Sequence, residues 1–408
     1  MKKNLFTLLL ILFIPFINLY SQTYEDFTYV NSEVGYKYIG SYDVNKLNEI
    51  LTTEAESFSD FEVTFSSVAN GVKLYRVIYN SEIPEMNNKP TVASGLIAIP
   101  DIENKKMPLV SYQHGTVFTK TDVPSFPDES METRLMIAHF AGNGYIVIGA
   151  DYFGKGLSSE QDSYQVKAST QQACLDMLKA SDEILNSMNI EHGPLFLSGW
   201  SMGSWATLLF LQKLESLNIE VTSTSVACTP TDVYAMINRW IHAPEKGDAV
   251  WLPGILALQL SSYSIYYDLP GLMESGIKAE YQQATRDFYE NKITFEEFYS
   301  KTPDNVDDYL KSEFKESSSS GENRYWEIIQ NNNSYRWRSR TPINLYFGES
   351  DEAVPVYIGT LPVDYQLLMG GGKTISVSAG KLADHRGTFK YSVEHSKKVY
   401  DEILKKNN

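Results

Sequence analysis

Two cysteines, Cys174 and Cys228, in 408 residues are too few for the disulfide framework that small secreted domains rely on, and a chain with 43% hydrophobic residues can build a core without one. One bridge between them is the most that sequence allows. Neither has metal-ligand spacing and no HExxH pattern occurs, which argues against a zinc enzyme. Positive charge is also scarce: 35 Lys and Arg face 51 Asp and Glu, for a formal charge of −16. So acidic a surface repels phosphate backbones, and nucleic acid is excluded as a partner. Gly370-Gly371-Gly372-Lys373-Thr374 looks like the end of a phosphate loop, but Leu367 stands where that motif needs glycine, so a turn before a strand is expected there. Gly149, Gly154 and Gly156 lack dinucleotide-fold spacing, and no internal repeat is present.

At the N-terminus, Met1-Lys2-Lys3-Asn4, an apolar run over 5–19 and Tyr20-Ser21-Gln22 follow the order of a secretory signal, so residues 1–21 are expected to be removed. The run is short for a spanning helix, and no cysteine follows it to carry a lipid. A secreted or periplasmic location follows.

The remaining chain alternates strand and helix patterns. Segments 61–68, 72–79 and 92–99 read as leading strands of an antiparallel edge, and 107–113 and 145–150 as buried parallel strands. A helix over 166–188, with Cys174, Met177, Leu178, Ile184 and Leu185 on one face, leads to a strand at 194–197, an almost wholly apolar helix at 202–214 and a strand at 221–227. From 230 to 340 the alternation gives way to aromatic-rich helical patterns carrying Trp240, Trp251, Trp326 and Trp337, with a capping box at Thr294-Phe295-Glu296-Glu297. Strands resume at 343–347 and 374–377, and an amphipathic helix over 388–404 closes the chain. This divides the mature chain into a core at 22–229 and 341–408 and an inserted helical cap at 230–340. The fold class is α/β: an eight-strand-type, mostly parallel sheet with helices on both faces.

Between the strand at 194–197 and the next helix lies Gly199-Trp200-Ser201-Met202-Gly203. Glycine two residues either side of a serine removes the Cβ atoms that would clash in a sharp strand-to-helix bend, leaving the hydroxyl above the sheet. A serine hydroxyl is a poor nucleophile at neutral pH, so Ser201 needs a histidine to accept its proton and an acid to hold that histidine, in the chain order serine, acid, histidine. Asp351 follows the strand at 343–347 and is the preferred acid, with Glu349 and Glu352 as rivals on the same loop. His385, between the last strand and the closing helix, is the expected base. His395 lies inside that helix, while His139, His192 and His242 fall outside the required order; all four read as ordinary polar or packed residues, and Asp384 as a helix cap or a solvent-facing residue. The tetrahedral intermediate needs two donors for its oxyanion. The first is the backbone of Met202; the second is expected from Gly115 or Thr116, in Tyr112-Gln113-His114-Gly115-Thr116.

Taken together, Tyr112-Gln113-His114-Gly115-Thr116, Gly144-Tyr145 with Asp151-Tyr152-Phe153-Gly154, the turn at Ser201, and Asp351-Glu352-Ala353-Val354-Pro355 occur in the order seen in α/β-hydrolases. More narrowly, the chain from residue 61 onward resembles the secretory lipase family known from yeasts and also found in bacteria. The resemblance implies hydrolysis of carboxylic esters, often acylglycerols, through an acyl-serine, with Ser201, Asp351 and His385 in the matching positions. It implies no metal and no organic cofactor. In some relatives a carboxylic-acid side chain supplies the second oxyanion donor, whereas this chain has His114-Gly115-Thr116 there, which leaves that donor open. A small-molecule or lipid ester is the expected substrate, and the aromatic cap suits transient contact with a lipid interface. Because the same triad cleaves amides, a serine peptidase is the alternative, with Glu274, Glu280, Asp287 and Glu290 as candidate amine anchors. A noncatalytic binding protein on the same scaffold is a third reading.

Overall fold

Residues 26–103, 106–321 and 323–407 are described by the computed structural model; the expected signal at 1–21 lies outside them. One ten-stranded sheet organises the chain, in the order β1-β2-β3-β4-β6-β5-β7-β8-β9-β10. The strands are β1 (Thr28–Tyr29), β2 (Val34–Tyr42), β3 (Val72–Ile83), β4 (Lys89–Pro100), β5 (Lys106–Gln113), β6 (Ile146–Ala150), β7 (Glu191–Trp200), β8 (Ser223–Ala227), β9 (Ile343–Phe347) and β10 (Thr374–Ser378). Pairing is antiparallel from β1 to β4 and between β4 and β6, then parallel from β6 through to β10. The centre of the parallel half is covered on both faces, which is why Ile146–Ala150 and Ser223–Ala227 are buried along their whole length, whereas the edge strand Thr374–Ser378 is largely exposed. The helices Lys167–Ser187 and Met202–Ser216 pack one face around Trp205, Leu208 and Met177; Met131–His139 and the closing helix His385–Asn407 pack the other around Leu135, Phe389 and Tyr400.

The sheet is larger than the eight-strand type, and its antiparallel edge is built differently from the reading above. Residues 61–68 form no strand. Phe61, Val63 and Phe65 are half-buried and Glu62 and Thr64 exposed, so the period-two pattern is present. The segment has no ladder partner, however; the Ser66 and Val68 amides go to the side chains of Glu394 and Asn48 instead, and the Ala69 amide that follows goes to the Gly142 carbonyl. Alternation reports which side chains face inward, not whether another strand lies within reach. The place expected for 61–68 is taken by β2, which pairs with β3 from Val34↔Tyr79 to Tyr42↔Val72. Gly370 ends the helix Leu361–Met369 in a left-handed conformation and the chain turns into β10, as expected of that glycine run.

Between β8 and β9 the chain forms helices, among them Val233–His242, Leu252–Tyr266 and Arg324–Asn331. The capping box at Thr294 and Glu297 is present. The two necks of this insert meet: the Ser334 amide donates to the Thr231 carbonyl at 2.9 Å, and Arg336 pairs with Asp232 at 3.1 Å. Just beyond, Glu215 Oε1 accepts the amides of Arg340 and Thr341 at 2.8 and 2.9 Å. Inside, Gln259 donates to Gln165 and accepts from Tyr325, both at 2.6 Å, so the buried amide of Gln259 is satisfied from the core on one side and from the insert on the other. Cys174 and Cys228 are both free and buried, not bridged. Among the described residues no helix is long and apolar enough to cross a membrane.

Candidate active site

Strand β7 ends at Trp200 and the next helix begins at Met202, so Ser201 alone makes the turn, at φ 55° and ψ −127°. A conformation this far from the common regions persists only when its surroundings over-determine it. Here they do: the Ser201 amide donates to the Ala227 carbonyl at 2.9 Å. A Cβ on Gly199 would collide with the Thr207 hydroxyl and the Gly203 carbonyl, and one on Gly203 with the carbonyls of Gln113 and His114. The two glycines therefore allow strand, helix and the 113–116 loop to close around the serine.

The structure brings three of the expected side chains together. His385 Nε2 lies 2.9 Å from Ser201 Oγ, and His385 Nδ1 lies 2.9 and 3.1 Å from the two oxygens of Asp351. With Nδ1–H donated to the carboxylate, Nε2 is left to accept the serine proton. Asp351 Oδ1 also accepts the amides of Ala353 and Val354, each at 2.9 Å. Burial opposes charge on Asp351, but the charge and hydrogen bond of His385, the Val354 amide and the Cys228 thiol outweigh it and hold the carboxyl below its usual range. Burial likewise works against the His385 imidazolium; the charge and hydrogen bond of Asp351, joined by the charges of Glu352 and Asp384, lift the group above its ordinary value.

The rival acids have other tasks. Glu349 is exposed and accepts from Ser378 at 3.3 Å. Glu352 faces the same histidine from behind its main chain, accepting the His385 amide at 3.0 Å. Asp384 caps the closing helix through the Gly387 amide at 2.6 Å. The remaining histidines are occupied elsewhere: His395 with Tyr346, His139 with Glu394, His192 with Asp182 and His242 with Ser318.

Met202 opens the helix behind Ser201, where backbone N–H groups and the helix dipole favour negative charge. Of the two loop candidates for the second donor, Gly115 is corrected: its amide donates to the Glu132 carboxylate at 2.9 Å and is committed there. Glu132 sits in the first turn of the Met131–His139 helix, is buried, and also receives the Tyr112 hydroxyl at 2.5 Å. Burial pushes its carboxyl up to about 7. Thr116 remains as the candidate; its side-chain hydroxyl pairs with Tyr164 at 2.8 Å.

Sequence reasoning missed the surroundings of the base. The His385 carbonyl accepts from Trp200 Nε1 at 3.2 Å and from the Cys228 thiol at 3.5 Å. Cys228 itself has a positive φ of 51°. Cys228, Asp351 and His385 are the one group of three metal-ligating side chains found among the described residues, their ligand atoms within 4.8 Å of one another. Burial and the neighbouring Asp351 charge hold the thiol well above its ordinary range, so it stays protonated, and Nδ1 is already given to Asp351. The set therefore suits hydrogen bonding and not a cation. From the insert, the Trp251 ring approaches His385 to 5.9 Å between centroids, the Ala249 amide donates to the Glu352 carbonyl at 2.9 Å, and Phe295 stacks on Phe118 of the core at 4.1 Å. Ser201 and His385 are only 8% and 3% exposed. No local pattern marks Glu132 or Cys228; their partners come from distant segments.

A mostly parallel sheet with helices on both faces and a serine on a strained strand-to-helix turn defines an α/β hydrolase. The secretory lipase family model matches residues 129–385, and the chain belongs to that family. It is an ester hydrolase, acting on small-molecule esters. Similar solved structures include a putative hydrolase from Legionella pneumophila, with a TM-score of 0.81 at 20% identity over 90% of this chain and 97% of that one. The rice cell wall degrading esterase LipA from Xanthomonas oryzae, in a ligand-bound form, gives 0.76 at 17% identity over 91% and 98%. Candida antarctica lipase A in its closed state gives 0.61 at 16% identity over 85% and 77%. At these identities the likeness shows the fold alone. No curated protein matches the chain in sequence.

Proposed function

We propose that the chain is a secreted serine hydrolase that cleaves carboxylic esters through an acyl-serine intermediate. The observation that carries this reading is the unbroken relay from Ser201 Oγ to His385 Nε2 at 2.9 Å and from Nδ1 to Asp351 at 2.9 Å. Ser201 Oγ attacks the acyl carbon as its proton passes to Nε2, and Asp351 holds the imidazole and stabilises the imidazolium. The oxyanion is met by the backbone amides of Met202 and Thr116. His385 then gives its proton to the departing alcohol, and the acyl-serine forms. Water, deprotonated by the same nitrogen, releases the acid and restores the serine. No step calls for a metal or an organic cofactor.

In this reading residues 1–21 are the signal and 230–340 form a cap over the site. Trp251 reaches His385 and Phe295 stacks on Phe118 of the core, an apolar character that suits an acyl chain and brief contact with a lipid interface. The peptidase alternative finds little support: among its candidate amine anchors, Glu274 pairs with Arg286 and Glu290 with Lys292 at the surface. Replacing Ser201→Ala tests the function directly. Hydrolysis of nitrophenyl esters is expected to fall about 10⁶-fold, with labelling by a fluorophosphonate abolished and the melting temperature unchanged. Wild-type turnover in that variant would end the reading.

A further inference from the structure

Given the relay read above, we propose that Glu352 is a positioning residue for the base: its carboxylate fixes the main chain of His385 and adds a second negative charge near the imidazole, beside that of Asp351. The need for it begins with helix geometry. His385 opens the closing helix, and the first amides of a helix have no partner within it. The natural cap, Asp384, spends its carboxylate on the Gly387 amide. The His385 amide would then be left unpaired in a buried site, and Glu352 Oε2 takes it at 3.0 Å.

The residue that supplies this acceptor is itself held. Its carbonyl receives the Ala249 amide from the insert at 2.9 Å, and the preceding Asp351 gathers the amides of Ala353 and Val354. The acid and its neighbour therefore grip His385 from two sides, Asp351 at the ring and Glu352 at the backbone. The other end of the same residue is closed by Trp200 and Cys228 at the carbonyl. Around the imidazole the charged groups are Asp351 and Glu352 on the acid loop and Asp384 beside it in sequence; the Cys228 thiol and Ser201 hydroxyl are neutral, and the rings of Trp200 and Trp251 complete the surroundings. Glu352 thus contributes to the negative field that favours the imidazolium formed during attack.

Geometry and charge separate in two variants, Glu352→Gln and Glu352→Ala, assayed on a nitrophenyl ester across pH beside wild type and Ser201→Ala, with melting temperatures recorded. Gln keeps an acceptor for the His385 amide and loses only the charge. Its maximal kcat is expected to stay within about threefold of wild type. Losing negative charge lowers the pKa of His385, and catalysis needs the neutral ring, so the acid limb moves to lower pH by about half a pH unit. Ala loses the acceptor as well, and kcat is expected to fall about 10- to 100-fold with KM unchanged, on the same shifted limb. An Ala variant with wild-type kcat, or variants whose melting temperature drops while the acid limb stays in place, would overturn the proposal and leave the serine reading standing. Equal turnover by wild type and Ser201→Ala would take both down.

Discussion

The two ends of the relay are held in different ways. Ser201 is placed by exclusion of atoms: Gly199 and Gly203 sit where any Cβ would strike backbone or a hydroxyl, and the serine bridges one strand and one helix with no residue to spare. His385 is placed by hydrogen bonds to Asp351, Glu352, Trp200 and Cys228, from three separate stretches of chain. A steric turn is local and should fail together with the packing around it. A hydrogen-bonded residue should lose function by degrees while the fold survives.

The comparison is broken most forcefully at the acid. Asp351→Asn is expected to lower kcat about 10⁴-fold, because the amide no longer holds Nε2 free to accept a proton. His385 is lifted by the carboxylate's charge, so wild-type activity should rise with pH through a midpoint above the ordinary histidine value of about 6.5, and the residual activity of the variant should rise at a lower pH. Rates measured from pH 5 to 9 check both, and a melting temperature close to wild type would support the view that this side is not structural. At the serine end, Gly203→Ala is expected to destabilise the protein by about 3 kcal/mol, since the carbonyls of Gln113 and His114 must move, with activity lost in parallel. Urea unfolding measures it, and a stable but inactive variant would contradict the steric account. The smallest effect belongs to Trp200→Phe, which keeps a ring beside Phe389 and His385 but removes the Nε1–H given to the His385 carbonyl. A loss of about 1 kcal/mol in transition-state stabilisation, roughly fivefold in kcat, is expected from steady-state kinetics.

This division also explains what could be read before any coordinates. The turn at Ser201 is a short-range steric device, so its glycines announce it, and the order serine, acid, histidine selects among six histidines and several acids. Parallel strands such as β6 are legible because both faces are covered and the run is apolar throughout. Pairing partners are not local, which is why 61–68 reads as a strand and β2 escapes notice. The same limit applies at the site. Asp351 and Glu352 are adjacent and chemically alike, and only distance assigns one to the ring and the other to the backbone. Gly115 looks available until Glu132, 17 positions away, is found holding its amide.

The stitching of Thr231 to Ser334 and of Asp232 to Arg336 has a consequence for how such a molecule diversifies. A long excursion whose entrance and exit touch imposes almost no geometric demand on the sheet that hosts it. Lengthening or shortening it alters the closure entropy only logarithmically. If residues 230–340 are the proposed cap, the space they enclose can accordingly be rebuilt as a cassette on an unaltered sheet, with the contacts of Ala249 to Glu352 and of Trp251 to His385 as the fitting each replacement must reproduce.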